Sequence, residues 1–255
     1  MYHRHNAKRG LSQMKRKFLI VFGFLLAVLV VTASYIYWTS PNRHTTPSER
    51  TGLEWSFADG VLSSPARPAL AMRIDPSLDY LGGQKFVLYG TANVEQHVFA
   101  RRWPDGRDRS MLLIQLESVV DGVDWAYDYS AAQYRTEIDG VDFFTDAEPG
   151  QLPPIFAKGE PGTDSYRAAV LAADAGFEAP EDYVWLRSVH IPDADARSEL
   201  LIILRDDLSS EGLTRDELLP GGSADDQWQA IAASRMEVLA EMVSFPAGEE
   251  PATKP

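Results

Sequence analysis

The sequence predicts an α+β protein: a single N-terminal transmembrane helix, then one domain with a mainly antiparallel sheet and its helices packed on one face. Three observations lead there. Residues 18–38 (FLIVFGFLLAVLVVTASYIYW) hold no charged residue, and about twenty apolar residues at ~1.5 Å each span the ~30 Å hydrocarbon core. Beyond them, strand-like runs follow one another across hairpin-length links, which suits antiparallel neighbours because parallel ones need a long crossover each time. Helical periodicity is sustained in only two places after the apolar run.

Residues 1–17 form a basic segment expected in the cytoplasm. They carry Arg4, Lys8, Arg9, Lys15, Arg16 and Lys17 and no acid, while the whole chain has a net charge of −13. Roughly −19 therefore falls on the remainder. Positive charge stays on the cytoplasmic side of a span, so everything after Trp38 is expected outside the cytoplasm. Tyr35, Tyr37 and Trp38 end the run as an aromatic belt at headgroup level. That belt favours a retained anchor over a cleaved signal peptide, for which Val31-Thr32-Ala33 would supply the cleavage site. Both readings export the domain.

Residues 39–66 mix Pro, Ser, Thr and charges without periodicity and read as a tether. Residues 67–245 form the domain, and the polar, Pro-rich residues 246–255 a disordered tail. Within the domain, 86–101 suits one long strand or two broken near Gly90, Trp103-Pro104-Asp105-Gly106 supplies a turn, and 111–120 (MLLIQLESVV) returns as a strand. Asp139-Gly140 sits between two short strand runs and tolerates the positive φ angles of a type I′ turn. Pro161-Gly162-Thr163-Asp164 opens a helix that stops at Gly176. Strands over 183–191 and 199–204 follow, then a capping box at Thr214-x-x-Glu217. The last helix, 225–245, places Trp228, Ile231, Ala232, Leu239 and Met242 on one side. Gly82-Gly83-Gln84-Lys85 and 159–163 read as turns.

The composition excludes several functions. A net charge of −13 argues against nucleic-acid binding, which needs basic surface to displace counterions. The chain has no cysteine, so disulfides, thiol catalysis, thiolate zinc sites and a lipoprotein anchor are out. No Asn-x-Ser/Thr acceptor occurs, which favours a prokaryotic envelope. No G-x-S-x-G, H-E-x-x-H, Walker or G-x-G-x-x-G motif is present; with them goes every specific reason to expect an enzyme, a cofactor or a resident metal.

What remains is a short set of polar positions on strands. Glu95 and His97 are two apart and share a strand face. Gln115 and Glu117 share the polar face of 111–120, and Arg187 and His190 lie on a later strand. These six are the expected ligand-binding residues if the polar faces line a concavity; on a one-sided sheet they are simply the solvent face. Asp121, Asp124 and Asp128 are hard-oxygen ligands without EF-hand spacing, and Trp125 and Tyr127 are expected to anchor their loop. The sequence thus predicts a membrane-anchored, extracytoplasmic binding or interaction module of the cell envelope, touching lipid through residues 18–38 and a small molecule or envelope protein through its domain. Two alternatives stay open: a metal-assisted hydrolase using Glu95, His97 and His190, and a carrier holding a lipid between the sheet and the last helix.

Overall fold

The computed structural model describes residues 44–64, 70–151 and 162–245, together with Phe22, Leu26, 28–32 and Ser40. The chain divides into two units, Met1–Arg43 and His44–Pro255. In the first, Phe22, Leu26 and 28–32 are helical, and the large apolar side chains from Phe22 to Val31 among them are exposed. Among the described residues no helix is long and apolar enough to cross a membrane. Most of the expected span 18–38, the basic segment 1–17 and the tail 246–255 lie outside those residues.

The second unit is built on two sheets. The larger has seven strands: β4 (Asp79–Leu88), β5 (Ala92–Arg102), β6 (Asp108–Val119), β7 (Tyr134–Ile138), β8 (Val141–Gln151), β9 (Asp182–His190) and β10 (Ser198–Asp207). Their order is β4-β5-β6-β10-β9-β8-β7, and every pairing is antiparallel. Two meanders, β4 to β6 and β7 to β10, therefore meet along a single seam between β6 and β10. The smaller sheet joins β1 (Ser56–Ala58), β2 (Val61–Ser64), β3 (Leu70–Ile74) and β11 (Val243–Ser244) in the order β1-β2-β3-β11. Its first two strands fall within the stretch 39–66 expected as a tether. Trp55 and Leu62 draw that stretch in, at 4% and 0% exposure. The strands are too short and polar for periodicity to reveal them.

Helices are α1 (Asp164–Asp174), the single turn α2 (Arg215–Leu218) and α3 (Trp228–Met242). Thr163 caps α1, its hydroxyl accepting the Tyr166 N–H at 3.1 Å, and Gly176 leaves it at φ +81°. α2 carries the expected Thr214–Glu217 capping box. The expectation that the helices share one face fails. Ala168, Leu171 and Ala172 of α1 pack with Val98, Met111, Leu113 and Ile203. α3 packs Ile231, Ala232, Leu239 and Met242 with Phe99, Leu112, Ile114 and Ile202, which alternate with the first set and so point the other way. An amphipathic helix records that one of its sides is buried and says nothing about which side of the sheet buries it.

With cover on both faces, the central strands β6 and β10 are buried along almost their whole length, and each carries an uninterrupted apolar run, 111–114 and 200–204, at its centre. The Asp139-Gly140 hairpin forms as expected, with φ +49° and +83° and Ile138 opposite Val141. By contrast, 82–85 is not a turn but part of β4, with a register shift between Tyr80 and Gly82. Gly83 lets side chains close over β4: a Cβ there would stand 2.7 Å from Leu53, 2.9 Å from the Tyr80 hydroxyl and 3.0 Å from His97, all of which would have to shift.

Candidate functional site

On the face beneath the small sheet, Glu95 and His97 come together as their spacing predicts. The Glu95 carboxylate accepts the backbone N–H of Trp55 at 2.8 Å and of Glu54 at 2.9 Å, and faces His97 Nε2 at 3.0 Å. A carboxylate at that contact accepts, so in the neutral ring Nε2 carries the proton and Nδ1 accepts from the Tyr80 hydroxyl at 2.9 Å. His97 is fully enclosed. Burial, and then the charge of Glu95, push the Tyr80 phenol up to about 12, so this tyrosine is held protonated and is no activated nucleophile. Physically, the group is a clamp: one buried carboxylate fixes the 54–55 backbone, and the histidine is braced from behind.

Beside this clamp lies an open cavity of about 470 Å³. Thr46, Glu49, Glu54, Trp55, Lys85 and Glu95 contribute to its wall. Thr46 and Glu49 reach it because residues 46–49 run along the free edge of β4, with Thr46 N–H donating to Val87 O and Glu49 exchanging both backbone bonds with Lys85. That pairing also covers an edge otherwise open to another chain. Lys85 Nζ donates to Gly52 O at 2.7 Å, closing the rim.

His190 does not join this site. His97 pairs with Ile114, Ile114 with Ile202 and Ile202 with Ser188, which places β9 three strands, or on the order of 14 Å, from β5. His190 Nδ1 donates instead to Asp142 O at 3.0 Å. Arg187 is also elsewhere: it pairs with Asp146 and lies over the Tyr129 and Trp185 rings. Among the described residues no group of three or more His, Asp or Glu is placed to hold a metal ion, and this includes the aspartates of 121–128. Tyr127 anchors that loop as expected, but Trp125 is 45% exposed.

The opposite face of the sheet carries a second polar constellation, and it is buried. Gln84, Gln96 and Gln115 stand side by side across β4, β5 and β6. Gln84 Nε2 donates to Gln96 Oε1 at 2.8 Å, Gln96 Nε2 to Gln115 Oε1, and Gln115 Nε2 to Glu117 and to Asp164 at the start of α1. Glu117 lies directly opposite Glu199 across the seam. The two are only 7% and 2% exposed, and one Glu199 oxygen, Oε2, is buried with no hydrogen-bond partner. The Tyr127 hydroxyl donates to Glu117 Oε2 at 3.0 Å. Burial, then Asp164, pushes Glu117 up to about 7; burial, then Glu117, pushes Glu199 up to about 8.

The expectation of a solvent face therefore fails at Gln115 and Glu117, because α1 and the 120–133 loop cover them. Sequence reading missed Tyr80, Gln84, Gln96, Asp164 and Glu199. No signal marked Gln84 or Gln96, which stand beside Lys85 and between Glu95 and His97 rather than in an apolar run. None existed for Glu199, whose partner is 82 residues away by number. Comparison with protein-family models, with curated proteins and with solved structures finds no match.

Proposed function

We propose that the chain is a membrane-anchored binding module of the cell envelope, with residues 18–38 in the bilayer, the basic start in the cytoplasm and the two-sheet domain outside. In this reading the domain takes a small polar molecule into the cavity beside Glu95. The observation that carries it is the pairing of an open cavity of about 470 Å³ with a wall held rigid by a buried carboxylate. A site whose wall is fixed before binding saves the ordering cost that a loose loop would impose. Volumes of this size accommodate a small ligand. The uncharged run 18–38 supports the anchor, as do the exposed apolar side chains of its helical residues.

The two alternatives receive less support. The hydrolase reading needs Glu95, His97 and His190 in one place, and the sheet separates them. The carrier reading needs space between α3 and the sheet, where Met242, Leu186 and Ile202 are fully buried against one another.

Two measurements test the proposal. A phosphatase reporter fused after Pro255 is active outside the cytoplasm if the topology is right, and inactive there if it is wrong. Saturation-transfer NMR with a panel of small polar molecules should yield binders that lose at least tenfold in affinity in Glu95→Ala. Binders indifferent to that change would place the site elsewhere and end this reading of the cavity.

A further inference from the structure

We infer that Glu117 and Glu199 form a proton-binding site, in which one proton held between the two carboxylates latches residues 120–133 over the sheet and its loss releases them. This is a function distinct from ligand binding: the two glutamates alternate to the strand face opposite Glu95, and although Glu117 also contributes to the cavity wall, the latch needs no ligand there.

The geometry is unusual for a sheet. Two glutamates occupy directly opposed positions on neighbouring strands, where Cβ atoms stand ~4.5–5.5 Å apart. Both are enclosed. Two carboxylates sharing a dry site cannot both ionise cheaply, so one keeps its proton. The groups around them relieve the pair only in part: Tyr127 and Gln115 donate to Glu117, and Tyr129 to Glu199, which favours the charged forms, but burial outweighs them. Asp164, from α1, adds a third acid, bridged to Glu117 through Gln115. Tyr127 and Tyr129, from the loop, are both pushed up by burial and by the same glutamates. Arg187 of β9 is the cation acting on Glu199, but its guanidinium is already paired with Asp146. Glu199 Oε2 has no hydrogen-bond partner, and a buried carboxylate oxygen left so costs far more charged than protonated.

The loop is the element that depends on this pair. Residues 120–133 carry the chain from β6, in the middle of the sheet, to β7 at its far edge. At its two ends the loop is tied by Val120 N–H to Thr91 O and by Gln133 to Asp146 and Ala147 of β8; between them it is held by the Tyr127 hydroxyl to Glu117, Tyr129 to Glu199, Tyr127 N–H to Ala196 O and Arg197 to the carbonyls of Val120, Val123 and Trp125. When both glutamates ionise, their repulsion is relieved by admitting water, which competes with the Tyr127 hydroxyl for Glu117 and with it loosens the loop. Release of the loop then changes how Trp125 and the acids Asp121, Asp124 and Asp128 are displayed to the outside.

Hydrogen exchange of the full-length chain between pH 5.5 and 9, corrected for intrinsic amide rates, reads the latch at the Tyr127 amide. Wild type should lose at least tenfold protection across 120–133 as the pH passes through the range 7–8, while α3 keeps its own. Glu199→Gln should hold the loop closed throughout, since the amide has no proton to lose; Glu117→Gln should do the same and replaces it if the first variant folds poorly. Protection in wild type that changes less than twofold across this range overturns the inference, as does a folded glutamine variant with the same pH profile.

Discussion

Removing the guanidinium of Arg235 should destabilise the domain more than any surface charge deletion. Arg235 sits in the buried stripe of α3 at 5% exposure, facing Asp206 at 0%. Its Nε lies 2.6 Å from Asp206 Oδ2, although the N–H is not aimed along that line and the contact is an ion pair only. A second guanidinium nitrogen reaches Glu211. Asp206 is otherwise served by the Ser110 hydroxyl and by Arg109 Nε at a long 3.4 Å. Arg235→Ala therefore leaves a buried carboxylate with weak compensation, a change that costs about 3–5 kcal/mol in comparable buried pairs. At ~2–4 °C per kcal/mol for a domain of this size, the melting temperature should fall by roughly 6–20 °C. Urea unfolding of wild type, Arg235→Ala, Asp206→Ala and the double variant isolates the pair, with the double variant losing less than the two singles added together. Arg50→Ala is the control, because Arg50 and Asp174 are paired at the surface with side chains about half exposed, and such pairs contribute ~0–1 kcal/mol. If Arg235→Ala loses no more than Arg50→Ala, water reaches Asp206 and the reasoning is wrong.

Two further outcomes follow from single positions. Glu117 and Glu199 bind protons more tightly folded than unfolded, so their contribution to stability is complete below the ordinary glutamate range, is lost progressively as the pH rises above it, and levels off beyond about 7 to 8; the unfolding free energy from urea titrations should fall between those limits by up to ~1.4 kcal/mol per pH unit for each proton, and a rising or flat profile would contradict the assignment. Gly222→Ala should destabilise by about 2 kcal/mol or more, since its Cβ would meet the Glu217 carbonyl oxygen at 2.3 Å and that of Asp216 at 2.6 Å; thermal melting within ~1 °C of wild type would show that the α2 turn yields freely.

The elements legible in the sequence are those fixed by near neighbours. The Asp139-Gly140 hairpin, the Thr163 cap, the Thr214–Glu217 box and the pairing of β5 with β6 all depend on residues within a hairpin's reach. Glu95 and His97 share a face because of strand alternation alone, so their meeting was readable as well. The apolar run 18–38 and the charge asymmetry around it are likewise properties of the chain as written. The β6–β10 seam was settled by tertiary structure only, because two meanders can join at any pair of edges and local preference does not choose between them. That choice put Glu117 opposite Glu199 and buried what would otherwise be a solvent face. It also placed His190 three strands from His97, sent α1 and α3 to opposite sides, and drew Trp55 and Leu62 out of the supposed tether. All of these are long-range outcomes, decided by which apolar surfaces could be covered together.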